Sequence, residues 1–102
     1  MRFYKNLYIG QDVKNPIKKK LNLKIGKGFL NFYVISLAQN DDQLNIFKAS
    51  LLKQKLYDKK VLKIVGIANN YDEAVQLVVT ITEDVYKQTG TANIKQFFAD
   101  KI

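Results

Sequence analysis

Carboxylates, lysines, tyrosines and hydroxyls must do any chemistry in this chain, because its 102 residues include no cysteine and no histidine. Without cysteine there are no disulfides, thiolate zinc sites, iron–sulfur ligands or thiol nucleophile. Without histidine the commonest metal ligand and the commonest general base near neutral pH are gone. A Ser-His-Asp arrangement is therefore excluded. What remains is two acidic clusters and one basic cluster. Asp41 and Asp42 follow Asn40, Asp72 and Glu73 follow Asn70, and Lys18-Lys19-Lys20 is trailed by Lys24 and Lys27.

The acidic clusters have two readings. Hard divalent cations take several oxygen ligands, but this spacing matches no EF-hand loop. As helix starts the clusters make better sense. Asn40 and Asn70 suit the N-cap, where a short side-chain oxygen accepts an orphan backbone N–H. Gln43 and Glu73 stand at the reach-back position of a capping box. The other carboxylates fall in first turns, beside the positive pole of the helix. There they would repel a phosphate. No GxGxxG or Walker-type glycine loop is present, and Gly26-Lys27-Gly28 is a lone pair of glycines. No catalytic residue, metal or cofactor is assigned, and a non-enzymatic protein is expected. A small ligand would favour the carboxyl ends of the strands, where Ser36, Ala38, Gly66 and Ala68 leave room.

The basic cluster belongs to a skewed charge distribution. Net charge is +8, and residues 1–40 carry Arg2 and seven lysines against Asp12 alone. Phosphate backbones bind such clusters through counterion release. Phe3, Tyr4, Tyr8, Phe29, Phe32 and Tyr33 are near in sequence and could stack on bases. Lys18, Lys19, Lys20, Lys24 and Lys27 are therefore the expected nucleic-acid contacts. The competing reading is a solvated basic face. Abundant Lys, Asn and Ile also fit an AT-rich genome, which makes part of the charge compositional. No established nucleic-acid-binding motif is present.

The elements that must position these residues show an internal repeat. Tyr33-Val34-Ile35-Ser36-Leu37-Ala38 aligns with Lys63-Ile64-Val65-Gly66-Ile67-Ala68, and Asn40 and Asp42 align with Asn70 and Asp72. Each copy reads as an apolar strand, a polar turn and a helix start. The strands, Phe32 to Ala38 and Val61 to Ala68, are continuous apolar runs, as buried parallel strands require. Parallel strands need a crossover, and the repeat supplies a helix for it. The first helix is expected from Asp41 to Lys55, burying Leu44, Phe47, Leu51 and Leu52. A loop near Tyr57-Asp58-Lys59-Lys60 follows it. The second helix is expected from Tyr71 to Thr89, stopping at Gly90. Its core stripe is Ala74, Leu77, Val78, Ile81 and Val85. Val75, Val79 and Tyr86 widen that stripe to an arc of about 200°. So wide an arc predicts a second contact, with another element or another subunit.

Asn6 to Ile9 and Asn93 to Phe98 read as further short strands. Asn15-Pro16 reads as an N-cap with proline at the first helical position. A basic helix from Ile17 to Ile25 would follow, ending at Gly26 or Gly28, although the alternation of Leu21, Leu23 and Ile25 equally permits a strand. The expected fold is one small α/β domain. It would hold a largely parallel or mixed sheet of about three to five strands, two or three helices and a tandem strand–helix repeat. No apolar run approaches the ~20 residues that span a bilayer, and no signal-peptide pattern is present. A cytoplasmic protein with no membrane partner is the expectation.

Gly66-Ile67-Ala68 followed by Tyr71-Asp72-Glu73-Ala74, with Val85-Tyr86, Thr89-Gly90 and the early Asn6-Leu7-Tyr8-Ile9-Gly10, resembles a family of small α/β proteins from low-GC Gram-positive bacteria. The similarity covers most of the chain. It implies a bacterial source and kinship of fold, and it brings no activity or functional residue with it. The function expected is a protein-binding or self-associating module using Val75, Val79 and Tyr86. A nucleic-acid-binding accessory protein using the lysines and a small-ligand binder at the strand ends are the alternatives.

Overall fold

The computed structural model describes residues 1–28, 30–53 and 59–102. Phe29, Lys55 of the expected first helix, and Tyr57 and Asp58 of the expected loop lie outside the described residues, while Lys59 and Lys60 of that loop open a 3₁₀ segment. Among the described residues, four strands and three helices form one small domain: β1 (Arg2–Ile9), α1 (Pro16–Ile25), β2 (Tyr33–Leu37), β3 (Leu44–Lys48), β4 (Lys63–Ala68), α2 (Tyr71–Thr89) and α3 (Ile94–Phe98). Short 3₁₀ segments at Ala49–Lys53 and Lys59–Val61 join β3 to β4. The strand order is β1-β4-β2-β3.

The sheet is mixed. β1 runs parallel to β4, whereas β2 is antiparallel to both β4 and β3. β2 and β4 are the central strands and are buried on both faces. Their continuous apolar runs therefore reported burial correctly, but not relative direction. One face of the sheet, with Ile35, Leu37, Val65 and Ala68, packs against α2 and α3 through Ala74, Ile81, Val85, Ile94 and Phe98. The other face, with Val34, Ile64 and Ile67, is covered by Leu23 of α1 and by Leu30, Phe32 and Leu52.

The second copy of the repeat forms as expected. The Asn70 side chain accepts from the Glu73 N–H at 2.9 Å, and α2 ends at Gly90. Over its described residues, 41–53, the first copy does not form the expected α-helix. Asn40 Oδ1 accepts instead from the Asp42 N–H at 2.9 Å, which closes a tight turn two residues on. The Ala38 N–H bonds to the Gln43 carbonyl at 3.1 Å, and the chain returns as β3. Phe47 and Leu52 are buried as expected, while Leu51 is exposed.

Asn93 to Phe98 is likewise helical rather than extended. The Asn93 side chain caps the Gln96 N–H at 3.2 Å, and Ile94 and Phe98 fall together on the buried side. α1 forms over the expected residues and ends at Gly26. Asn15 takes a left-handed conformation and makes no side-chain cap, and its carbonyl accepts from the Lys19 N–H.

Candidate functional site

The parallel pair β1–β4 opens a cleft of about 560 Å³ at its carboxyl end, between the turn after β1 and the start of α2. Tyr8, Gly10, Asp12, Asp72, Glu73 and Leu77 are among its lining. This is where ligands favour a parallel sheet. Here the first turn of the helix is already engaged. Glu73 Oε1 accepts from the Asn69 N–H at 2.7 Å, and Oε2 accepts from the Asp12 N–H at 2.9 Å. The carboxylate thus ties the β1–α1 turn to the start of α2, and its reach-back donor is Asn69, one residue before the N-cap Asn70, not the cap residue that a capping box would use. Gly10 makes this possible. A Cβ at that position would lie 1.9 Å from Glu73 Oε1, so any side chain there would displace the carboxylate from both donors. The ring of acceptors suits neither a phosphate nor a carboxylate ligand. Among the described residues no group of three or more acidic side chains converges as a metal site would require.

Deeper on the same side, Tyr8 donates its hydroxyl hydrogen to Asp84 Oδ2 at 2.7 Å, joining β1 to the middle of α2. Burial holds the phenol well above the ordinary tyrosine value, and the hydrogen bond and negative charge of Asp84 push it further up. The native state therefore holds this proton more tightly than the unfolded chain does. The unfolded chain releases it first, so the stability this proton contributes is complete below pH ~10 and falls as pH rises beyond that. Urea midpoints of the wild type and Tyr8→Phe, followed from about pH 8 to 11, should converge as the pH rises. Parallel curves would show that the phenol ionises alike in both states.

The five candidate lysines differ in their surroundings. Lys18, Lys24 and Lys27 are exposed. Lys20 and Lys24 place their Nζ atoms 5.2 and 5.5 Å from the centre of the Phe3 ring, as cation–π partners. Lys19 turns back to donate to the Lys14 carbonyl. Of the nearby aromatics, Phe32 is buried in the core and Phe3, Tyr4, Tyr8 and Tyr33 pack partly against it. No open stacking platform accompanies the lysines among these described rings.

The residues expected to make a second contact are all on the surface. Val75, Val79 and Tyr86 are 40, 51 and 60% exposed, and Tyr71, which the sequence reading passed over, is 55% exposed on the same stripe. Helical spacing could have found Tyr71, since it precedes Val75 by four residues. Its ring meets Tyr33 of β2 edge-on at 6.0 Å, which places the stripe on the β2–β3 side of α2. No helix among the described residues is long and apolar enough to cross a membrane. Comparison with protein-family models, with curated proteins and with solved structures finds no match.

Proposed function

We propose that this chain is a non-enzymatic binding module that associates with a second copy of itself through the outer stripe of α2. The observation that carries this reading is the run Tyr71, Val75, Val79 and Tyr86, exposed beside the face of α2 that packs on the sheet and α3 through Ala74, Ile81 and Val85. The stripe is ~22 Å long at 1.5 Å per residue. Its composition suits a two-fold axis. Antiparallel pairing centred between Val78 and Val79 sets Tyr71 against Tyr86, and brings Asp72 near Lys87 of the second copy. An isologous contact of this kind joins like patches without charge repulsion. The absence of cysteine suits a reducing compartment, and the cytoplasm is the compartment this reading assigns.

Sedimentation velocity over a concentration series tests the proposal. The wild type should show a dimer that Val79→Glu converts to monomer, because a carboxylate at the centre of an apolar contact is left without a partner. Val79 is exposed, so the variant keeps its fold. A wild type that remains monomeric throughout, or a variant that sediments as the wild type does, would overturn self-association through this stripe.

A further inference from the structure

The helix on the opposite sheet face carries a second apolar surface of different character. Leu23 is the one buried residue of α1. Ile17, Leu21 and Ile25 are 85, 54 and 55% exposed. At ~100° per residue these three form a ridge about 80° wide, pointing away from the core. Lys18 flanks one side of the ridge, and Lys20 and Lys24 the other. α1 itself contains no acidic residue. We propose that α1 is a docking face for an anionic lipid surface, with the ridge set into the headgroup region and the flanking lysines reaching lipid phosphates and carboxylates.

Charge and shape together select this occupant. A phosphate-lined duplex would satisfy the lysines but press the apolar ridge against a hydrated groove. A second copy of α1 would bring lysine against lysine. A negatively charged bilayer meets both features, since interfacial helices combine an apolar strip with basic flanks. The cytoplasmic leaflet attracts such lysines, and long basic side chains can lay their stems on the apolar boundary with their charges in water. Crossing the bilayer is not involved. The α2 stripe lies on the other face of the sheet, so α1 can dock while α2 stays free.

Vesicle flotation of the full chain tests the proposal, using phosphatidylcholine alone and phosphatidylcholine containing about 30% phosphatidylserine. Binding is expected only to the mixed vesicles. Ile17→Ser with Ile25→Ser should weaken it by at least about tenfold. Lys18→Gln with Lys20→Gln and Lys24→Gln should remove the preference for anionic lipid. All these side chains are wholly or partly exposed, and unchanged circular dichroism confirms that the variants fold. Three results would overturn the proposal: no binding to the mixed vesicles, full binding by the serine variant, or tighter binding to duplex DNA than to vesicles with the serine variant unaffected.

Discussion

Replacing Phe98 with alanine is expected to cost about 3–5 kcal/mol, the range for emptying a buried aromatic site. The side chain is fully buried. Its ring meets Tyr4 of β1 at 4.9 Å and Phe97 at 5.0 Å, both edge-on, and such pairs add about 0.5–1.5 kcal/mol beyond area burial. α3 has five residues and buries only Ile94 and Phe98. A helix that short has no stability of its own. Losing one of its two anchors therefore releases the element as well as opening a cavity. With it goes the hydrogen bond from the Lys95 N–H to Gln43 Oε1 at 3.1 Å, which ties α3 to the β2–β3 turn. Domains of this size have roughly 5–15 kcal/mol in total, so the loss takes a large share of the stability. A urea titration measures the loss directly, and Phe97→Ala, at a partly buried position, should lose clearly less. A loss below about 1 kcal/mol at Phe98 would show that α3 folds outside the cooperative unit.

α3 also marks where local sequence stops being informative. Five residues are too few for a helical period to declare itself against a strand, so Asn93 to Phe98 read as extended. α2 was legible from end to end because three independent signals agree there: the Asn70 cap, a long stripe at helical spacing, and Gly90. The first copy of the repeat has the cap residue and the acidic first turn, and these two signals also describe a tight turn. The choice was made further along. Leu44, Asn45 and Ile46 alternate between partly buried and exposed, which serves an edge strand pairing with β2. A helix there would leave one side of β2 without its backbone partner. That requirement is tertiary, and no local window contains it.

The site contacts were hidden for the same reason. Glu73 and Asp12 are 61 residues apart, and Tyr8 and Asp84 are 76 apart. The sequence identified Glu73 as a cap residue but could not say that its second oxygen would hold the turn after β1. For α1 it placed the lysines on one helix, yet helical spacing names an apolar ridge without saying whether the core lies beneath it. Only the packing of Leu23 inward leaves Ile17, Leu21 and Ile25 outside.

Gly66→Val gives a prediction whose sign separates two physical accounts. Strand propensity alone favours the change, because valine suits a pleated buried strand and glycine weakens one. The structure requires the opposite. Ile35 pairs with Gly66 and Ser36 with Ile64, which leaves Val65 as an extra residue in β4. A bulge of this kind turns two successive residues toward one face. Val65 and Gly66 both face α2, and β1 closes over the glycine. A Cβ at Gly66 would lie 3.2 Å from the Tyr8 carbonyl oxygen and 3.3 Å from Ile35 Cδ1. One neighbour is backbone and the other a fully buried side chain, so neither yields readily. Alanine forces a small shift. The two further methyl groups of valine need space that the backbone of β1 occupies, at an overpacking cost of about 1–3 kcal/mol. Displacing β1 would further strain the Gly10 N–H bond to the Ile67 carbonyl and the bond from Tyr8 to Asp84. The expected result is a lower urea midpoint for Gly66→Val than for Gly66→Ala, both below the wild type. Amide exchange should accelerate first along β1, at Gly10 and Arg2, whose N–H groups bond to β4 and to Leu62 just before it. A valine variant as stable as the wild type, with β1 still protected, would mean that β1 does not lie against Gly66 as described.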